Sequence, residues 1–241
     1  MTVVKCKSVA VYCGSSLGTE GAFFTAAMSL GHAIAKDSRA LVYGGGTDGI
    51  MGAVSAAVLQ EGGEVTGIIP YAMVASGGEK DKVTSDKTVR EGMNDMQRVA
   101  MTTIVVNSMH DRKVEMARRS DGFVALPGGF GTFEEVFEVT TWTQIGIHNK
   151  PVILANVLGY WNPLRQLINT AIDHGFIRPE NTRLITFVDG PADFAEHLHY
   201  DWGTAVLDAL DNWTMGEAVP MFDWSKRLGD KITDAGKLAA T

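Results

Sequence analysis

Short apolar runs alternate along the chain with longer stretches in which apolar residues recur every three or four positions. Ser8–Tyr12, Ala40–Tyr43, Glu64–Ile69, Thr103–Val106, Phe123–Leu126, Pro151–Asn156 and Leu184–Val188 read as strands. Between them, Glu20–Lys36 places Phe23, Ala27, Leu30 and Ile34 on one helical face. Residues 50–60 form a helix closed by Gly62 and Gly63, and Asn162–His174 carries Leu164, Leu167, Ile168 and Ile172. Pro191–Tyr200 reads as a last helix. Tyr71–Met101 keeps no period, which predicts a long loop and a short helix near Gly92–Arg98. The alternation predicts an α/β fold, a Rossmann-like doubly wound parallel sheet in three α/β/α layers with its crevice at the strand C-termini. Residues 1–200 are expected to form one domain and 201–241 a partly irregular extension. Its Trp202, Trp213 and Trp224 would cover the body or a partner, with Lys226–Thr241 partly disordered.

Composition narrows the function classes. A chain of 241 residues, 45% apolar, has enough material for one sizeable core. Its 21 Lys and Arg against 28 Asp and Glu give a net charge of −7, which argues against a nucleic-acid or acidic-membrane surface. Cys6 and Cys13 build no disulfide framework, and the apolar run after Lys5 and Lys7 is too short for a signal peptide or a membrane span. A cytoplasmic setting is expected. His197 and His199 lie on a polar amphipathic stretch and the other histidines are scattered, so neither a metal nor a cofactor is expected.

The chemistry concentrates in Asp121–Trp142, DGFVALPGGFGTFEEVFEVTTW, which reads strand, glycine loop, helix. Gly128, Gly129 and Gly131 let backbone N–H groups approach a ligand, and a helix start favours an anion such as phosphate. Glu134 and Glu135 would repel that anion, which suggests chemistry. An alternative stays open from spacing: Thr132 and Glu135 satisfy the capping-box pattern. Arg112 and Lys113 follow a strand end and are placed to converge on the cradle, whereas Arg118 and Arg119 read as a solvated face. In the first loop Ser15 or Ser16 would bond a phosphate or ribose, and Cys13 is expected to be a buried filler, not a nucleophile. Gly44, Gly46 and Gly49 satisfy GxGxxG, but a complete strand–helix unit precedes them, unlike in dinucleotide-binding domains.

VYCGSS (Val11–Ser16), YGGGTDGIMG (Tyr43–Gly52), GIIP (Gly67–Pro70), MHDRK (Met109–Lys113) and PGGFGTFEE (Pro127–Glu135) together resemble the LONELY GUY family. These are cytokinin riboside 5'-monophosphate phosphoribohydrolases, often labelled lysine decarboxylases. The similarity runs from about Val9 to Tyr160. It implies that Arg112 and Glu135 are the catalytic pair. It further implies that Gly128, Gly129, Phe130, Gly131, Thr132, Phe133 and Glu134 hold the nucleotide phosphate and ribose, with Met109, Arg112, Lys113 and Thr141 as further contacts. Gly14, Ser15, Gly45 and Gly46 are the candidate contacts in the neighbouring loops. The stretch between GIIP and MHDRK is longer than in the family's compact plant members, which leaves Glu79 and Glu91 unassigned. A homodimer or higher homo-oligomer is implied, with Phe137, Val139, Trp142 and Ile145 read either as its interface or as intramolecular core. Two other classes stay open: a nucleotide sensor without turnover, and an NAD(P)-dependent enzyme using Gly44–Gly49.

Overall fold

The computed structural model describes residues 5–76 and 101–214, with Phe222 and Trp224. The helix expected near Gly92–Arg98, Glu79, Glu91 and the tail Lys226–Thr241 lie outside the described residues. The strands are β1 (Ser8–Tyr12), β2 (Ala40–Tyr43), β3 (Val65–Pro70), β4 (Met101–Val106), β5 (Gly122–Ala125), β6 (Val152–Asn156) and β7 (Thr186–Asp189). Among the described residues they form one sheet in the order β4-β3-β2-β1-β5-β6-β7, every pair parallel. The chain therefore works outward from β1 to one edge, then returns to β5 on the other side of β1. That reversal makes the β1/β5 junction the topological switch point, where a crevice opens above the strand ends.

Among the described residues the α-helices are α1 (Gly21–Lys36), α2 (Gly49–Gln60), α3 (Tyr71–Ala75), α4 (Met109–Arg119), α5 (Phe130–Ile145), α6 (Asn162–Asp173) and α7 (Trp202–Asn212). Alternation along each strand divides the interior in two. Val9 and Val11 of β1, with Leu41 and Tyr43 of β2, face α1, α2 and α7, whereas Ala10, Tyr12 and Val42 face α4 and α5. The close approach of α1 to both its neighbours depends on small residues. A side chain at Gly31 would strike Ala57 and the Val54 carbonyl, and one at Gly203 the Ser29 carbonyl and Ala33.

Two expectations need correction. The signal does not fade into an extension at Asp201: α7 follows, capped by the Asp201 carboxylate accepting the Thr204 N–H, and it buries Trp202, Val206, Leu207 and Leu210 in the first core. The segment Pro191–Tyr200 contains only a short 3-10 turn, Phe194–Leu198, in which His197 is buried. Of the two readings of the α5 face, intramolecular core holds for Val139 and Trp142, and of the four residues Phe137 is the well exposed one. Trp213 and Trp224 cover the body, their indole N–H groups donating to the carbonyls of Arg183 and Ile145. Removing the fully buried Trp202 side chain leaves a large cavity, so Trp202→Ala should cost about 3–5 kcal/mol in urea unfolding. A chain cut after Tyr200 should fail to fold; a cooperative transition for that fragment would place α7 outside the folding unit.

Candidate active site

Four connections meet at the switch point. β1 ends in Gly14 and β5 runs into Pro127 and Gly128, and the two loops are tied by the Gly14 N–H donating to the Pro127 carbonyl at 3.1 Å. A β-carbon on Gly128 would collide with the Thr132 hydroxyl and lie 2.8 Å from the Gly14 nitrogen, so this glycine is required by the protein's own packing. Gly129 and Gly131 are different, because a β-carbon at either would meet no protein atom within 4 Å. Gly129 is the N-cap of α5, so the unpaired N–H groups of the first turn open onto this space. Phe130, at the first helical position, is 90% exposed.

The capping-box alternative falls here. With Gly129 as the cap, Thr132 already lies inside α5, its side chain buried against Gly128, and Glu134 and Glu135 belong to the second turn. Glu135 instead points at Arg112, with Oε1 3.7 Å from Nη1. α4 carries that arginine inward from its first turn, which Ser108 caps by accepting the Asp111 N–H. The guanidinium is held from behind: Nε donates to the Ile68 carbonyl at 3.2 Å and Nη2 to the Gly44 carbonyl at 3.3 Å. A side chain on Gly44 would occupy the guanidinium's place, Gly45 makes room for Ile69 at a positive φ of 82°, and Gly46 makes room for Met51. Gly49, also at positive φ, lies against the backbone of Ser15 and Ser16. The glycine fingerprint thus serves to seat the arginine and close the first loop, and Gly45 and Gly46 shape the floor beneath it.

Glu135 is only 8% exposed, and burial raises its carboxyl first. Arg112 pulls the other way and Glu134 adds to the rise, leaving the group at about 7 instead of the usual range near 4.5. Its field reaches the β1 end, where burial and then Glu135 push the Tyr12 phenol and the Cys13 thiol upward. Cys13 is therefore an inert filler.

The other expected contacts are distributed unevenly. Lys113 is engaged, its Nζ 2.6 Å from Glu134 and 2.9 Å from Glu138. Burial pushes this amine down, but the two carboxylates outweigh that and hold it above its ordinary value. With Arg112 and Lys113 set against Glu134, Glu135 and Glu138, side chains supply no surplus positive charge, and attraction for an anion falls to the α5 backbone. Ser15 and Met109 are exposed at the rim. Thr141 stands twelve positions beyond Gly129, about 18 Å along the helix, and its hydroxyl donates to the Phe137 carbonyl, so it is not brought to the cradle within this chain. Glu138 was legible as the i+4 neighbour of Glu134; the role of Gly44 beneath Arg112 had no local signal.

Among the described residues no group of three or more His, Cys, Asp or Glu is placed to hold a metal ion, and His197 is structural, paired with Leu158 and Pro191. No helix among them is long and apolar enough to cross a membrane.

Residues 51–198 match a family model described as "Possible lysine decarboxylase". Among similar curated proteins, the probable cytokinin riboside 5'-monophosphate phosphoribohydrolase LOGL2 of Oryza sativa subsp. japonica is 43% identical over 192 residues, 80% of this chain and 72% of that one. The cytokinin riboside 5'-monophosphate phosphoribohydrolase LOG5 of Arabidopsis thaliana is 45% identical over 193 residues, 79% of this chain and 76% of that one. Among solved structures, the molybdenum cofactor carrier protein of Chlamydomonas reinhardtii shares the fold, with a TM-score of 0.50 at 22% identity over 81% of this chain and 95% of that one. The five motifs, the family model and these relatives agree, and the chain belongs to the LONELY GUY family of cytokinin riboside 5'-monophosphate phosphoribohydrolases.

Proposed function

We propose that this protein hydrolyses the N-glycosidic bond of cytokinin riboside 5'-monophosphates, releasing the free N6-modified adenine and ribose 5-phosphate. The observation that carries the reading is the buried Arg112–Glu135 pair, 3.7 Å apart, beside a helix start whose Gly129 and Gly131 face open space. Breaking the bond between C1' and the base nitrogen leaves the electron pair on the base and builds positive charge on the ribose. A carboxylate beside C1' stabilises that charge more in the transition state than in the ground state. Glu135 fills this role, and as water adds to C1' it also accepts the water's proton, the departing base taking up one proton on the nitrogen that left so that carboxylate and free base are both restored. Arg112 neutralises negative charge on the phosphate or the departing base. The α5 N-terminus holds the phosphate, so binding energy remote from the bond fixes the sugar at the reacting centre.

Lysine decarboxylation is not supported by this site. A Schiff-base lysine must lose its proton, whereas Lys113, beside the cradle, is held charged between Glu134 and Glu138. AMP and other purine nucleotides fit the same cradle chemistry, and a broader phosphoribohydrolase is the second reading within the class. We further propose a cytoplasmic homodimer. The free thiols of Cys6 and Cys13 suit a reducing compartment, and the exposed side of α5, with Phe130 and Phe137, is the face offered to a second copy. Sedimentation equilibrium of wild type should give twice the chain mass, and a single-chain mass would remove the dimer from the proposal.

The primary test is chromatographic base release from isopentenyladenosine 5'-monophosphate, AMP and the unphosphorylated riboside. Release should require the phosphate and fall at least about a hundredfold in Glu135→Gln. Turnover in neither monophosphate, with AMP still bound, would make the protein a nucleotide-binding module. Because the carboxylate form is needed, kcat/KM should rise with pH through about 7. The same group has a stability signature. Its folded-state value lies above the unfolded one, so its protonated form favours folding below about 4.5 and that contribution is lost as pH rises through about 7. Glu135→Gln should therefore be more stable than wild type above pH 7, by roughly 1–3 kcal/mol, while nearly inactive.

Gly131→Ala separates ligand approach from protein packing. The new methyl meets no protein atom and improves helix propensity, so stability should rise by about 0.5–1 kcal/mol. If the nucleotide phosphate lies against this turn, KM should rise together with that stability. An unchanged KM would move the phosphate elsewhere.

A further inference from the structure

The connection from β6 to α6 is held in an unusual shape. Leu158 adopts a left-handed backbone conformation (φ 53°, ψ 26°), which is strained for a non-glycine residue and persists only where its surroundings over-determine it. Here they do. The Leu158 N–H donates to Nδ1 of the buried His197 at 2.9 Å, and Nε2 of the same ring lies 2.8 Å from the Pro191 carbonyl. A carbonyl only accepts, so the proton is on Nε2 and Nδ1 is free to receive Leu158. Two residues before, Asn156 accepts the Trp161 N–H at 2.7 Å and donates to Asn162 and Asp189. Asp189 is in turn gripped by both carboxylate oxygens to Arg165.

What this frame delivers is Tyr160. Its ring is stacked near Phe133 (centroids 6.5 Å apart) and meets Phe23 and Trp161 edge-on at 6.1 and 5.1 Å. Its hydroxyl donates to the carbonyl of Gly128. That carbonyl belongs to the peptide joining Gly128 to Gly129, the N-cap of α5. Across a planar trans peptide the C=O and N–H point in opposite directions, so holding the carbonyl on the Tyr160 side fixes the Gly129 N–H on the other. Glycines at both ends of this peptide put little steric resistance in the way of a flip. A flipped peptide would present a carbonyl oxygen where the cradle needs a donor.

We infer that Tyr160 is a positioning residue for the phosphate cradle, setting the Gly128–Gly129 peptide so that the Gly129 N–H donates to the substrate's phosphate. The inference rests on the proposed phosphate-binding role of the α5 N-terminus and deepens it by assigning one donor and the group that orients it. Tyr160 itself touches neither the phosphate nor the reacting atoms.

The test compares Tyr160→Phe with wild type, since the substitution keeps the ring and removes only the hydroxyl. KM for the nucleoside monophosphate should rise about tenfold with a smaller change in kcat, and binding of inorganic phosphate should weaken by a similar factor. In 15N-labelled wild type, the Gly129 amide should shift on titration with inorganic phosphate. Equal phosphate affinity in the two proteins overturns the inference, as does a Gly129 amide that does not respond in wild type. A merely structural role for the hydroxyl would lower the melting temperature and leave phosphate affinity unchanged, which is the first overturning result. Phosphate binding and the amide signal need no turnover. Wild type that binds phosphate through Gly129 yet releases no base would sink the hydrolase reading and leave this one standing.

Discussion

The site depends on keeping one guanidinium and one carboxylate together in a largely buried place. Either group alone would pay a heavy desolvation cost there, and even as a pair they balance only approximately, as the raised Glu135 carboxyl records. Arg112 is held by the carbonyls of Ile68, within β3, and Gly44, just past the end of β2, so its place does not depend on Glu135 alone. Glu135 is thereby left as the frustrated member. A buried carboxyl raised this far is an arrangement that a stability-optimised core would not keep.

Glycines divide into two kinds around this pair. Gly14, Gly44, Gly45, Gly46, Gly49 and Gly128 let protein approach protein: loop against loop, glycine against guanidinium, backbone against Ile69 or Met51. Gly129 and Gly131 have no such neighbour. Two motifs that look alike on paper thus perform different work, one building the floor and the other leaving room above it. The same division explains why GxGxxG, which in another setting signals a dinucleotide, here accompanies a seat for Arg112. The switch point concentrates these loops because β1 and β5 are adjacent in the sheet although more than a hundred residues apart in the chain.

Support for the cradle comes from behind as well as from within. Two polar clusters, Asp189 with Asn156 and His197 with Leu158, hold the connection from which the Tyr160 hydroxyl reaches the Gly128 carbonyl. Polar side chains at these strand ends are satisfied by one another, and their geometry passes to the loop.

The sequence by itself determined the α/β class, all seven strands to within two residues, and the long helices α1, α2, α4, α5 and α6. Wholly apolar short runs and helical spacing are local properties, and a parallel sheet needs little else. It also determined which residue types gather near the cradle, through five ordered motifs. The spacing of Trp202, Val206, Leu207 and Leu210 was helical too, but Asp201, Asp208 and Asp211 diluted it, and it took the tertiary fit of Gly203 against Ser29, with Asp211 paired to buried Arg39, to show α7 as part of the core. Tertiary structure decided the rest. Thr132 and Glu135 satisfy a capping box on paper, yet burial of Thr132 against Gly128 starts the helix earlier and turns Glu135 toward Arg112. Tyr160 carries no signal at all in its own stretch, because its partner is 32 residues away and meets it only once β5 and β6 are paired. Periodicity reports which way a residue faces within its own element; what it faces is fixed by the chain's return to the sheet.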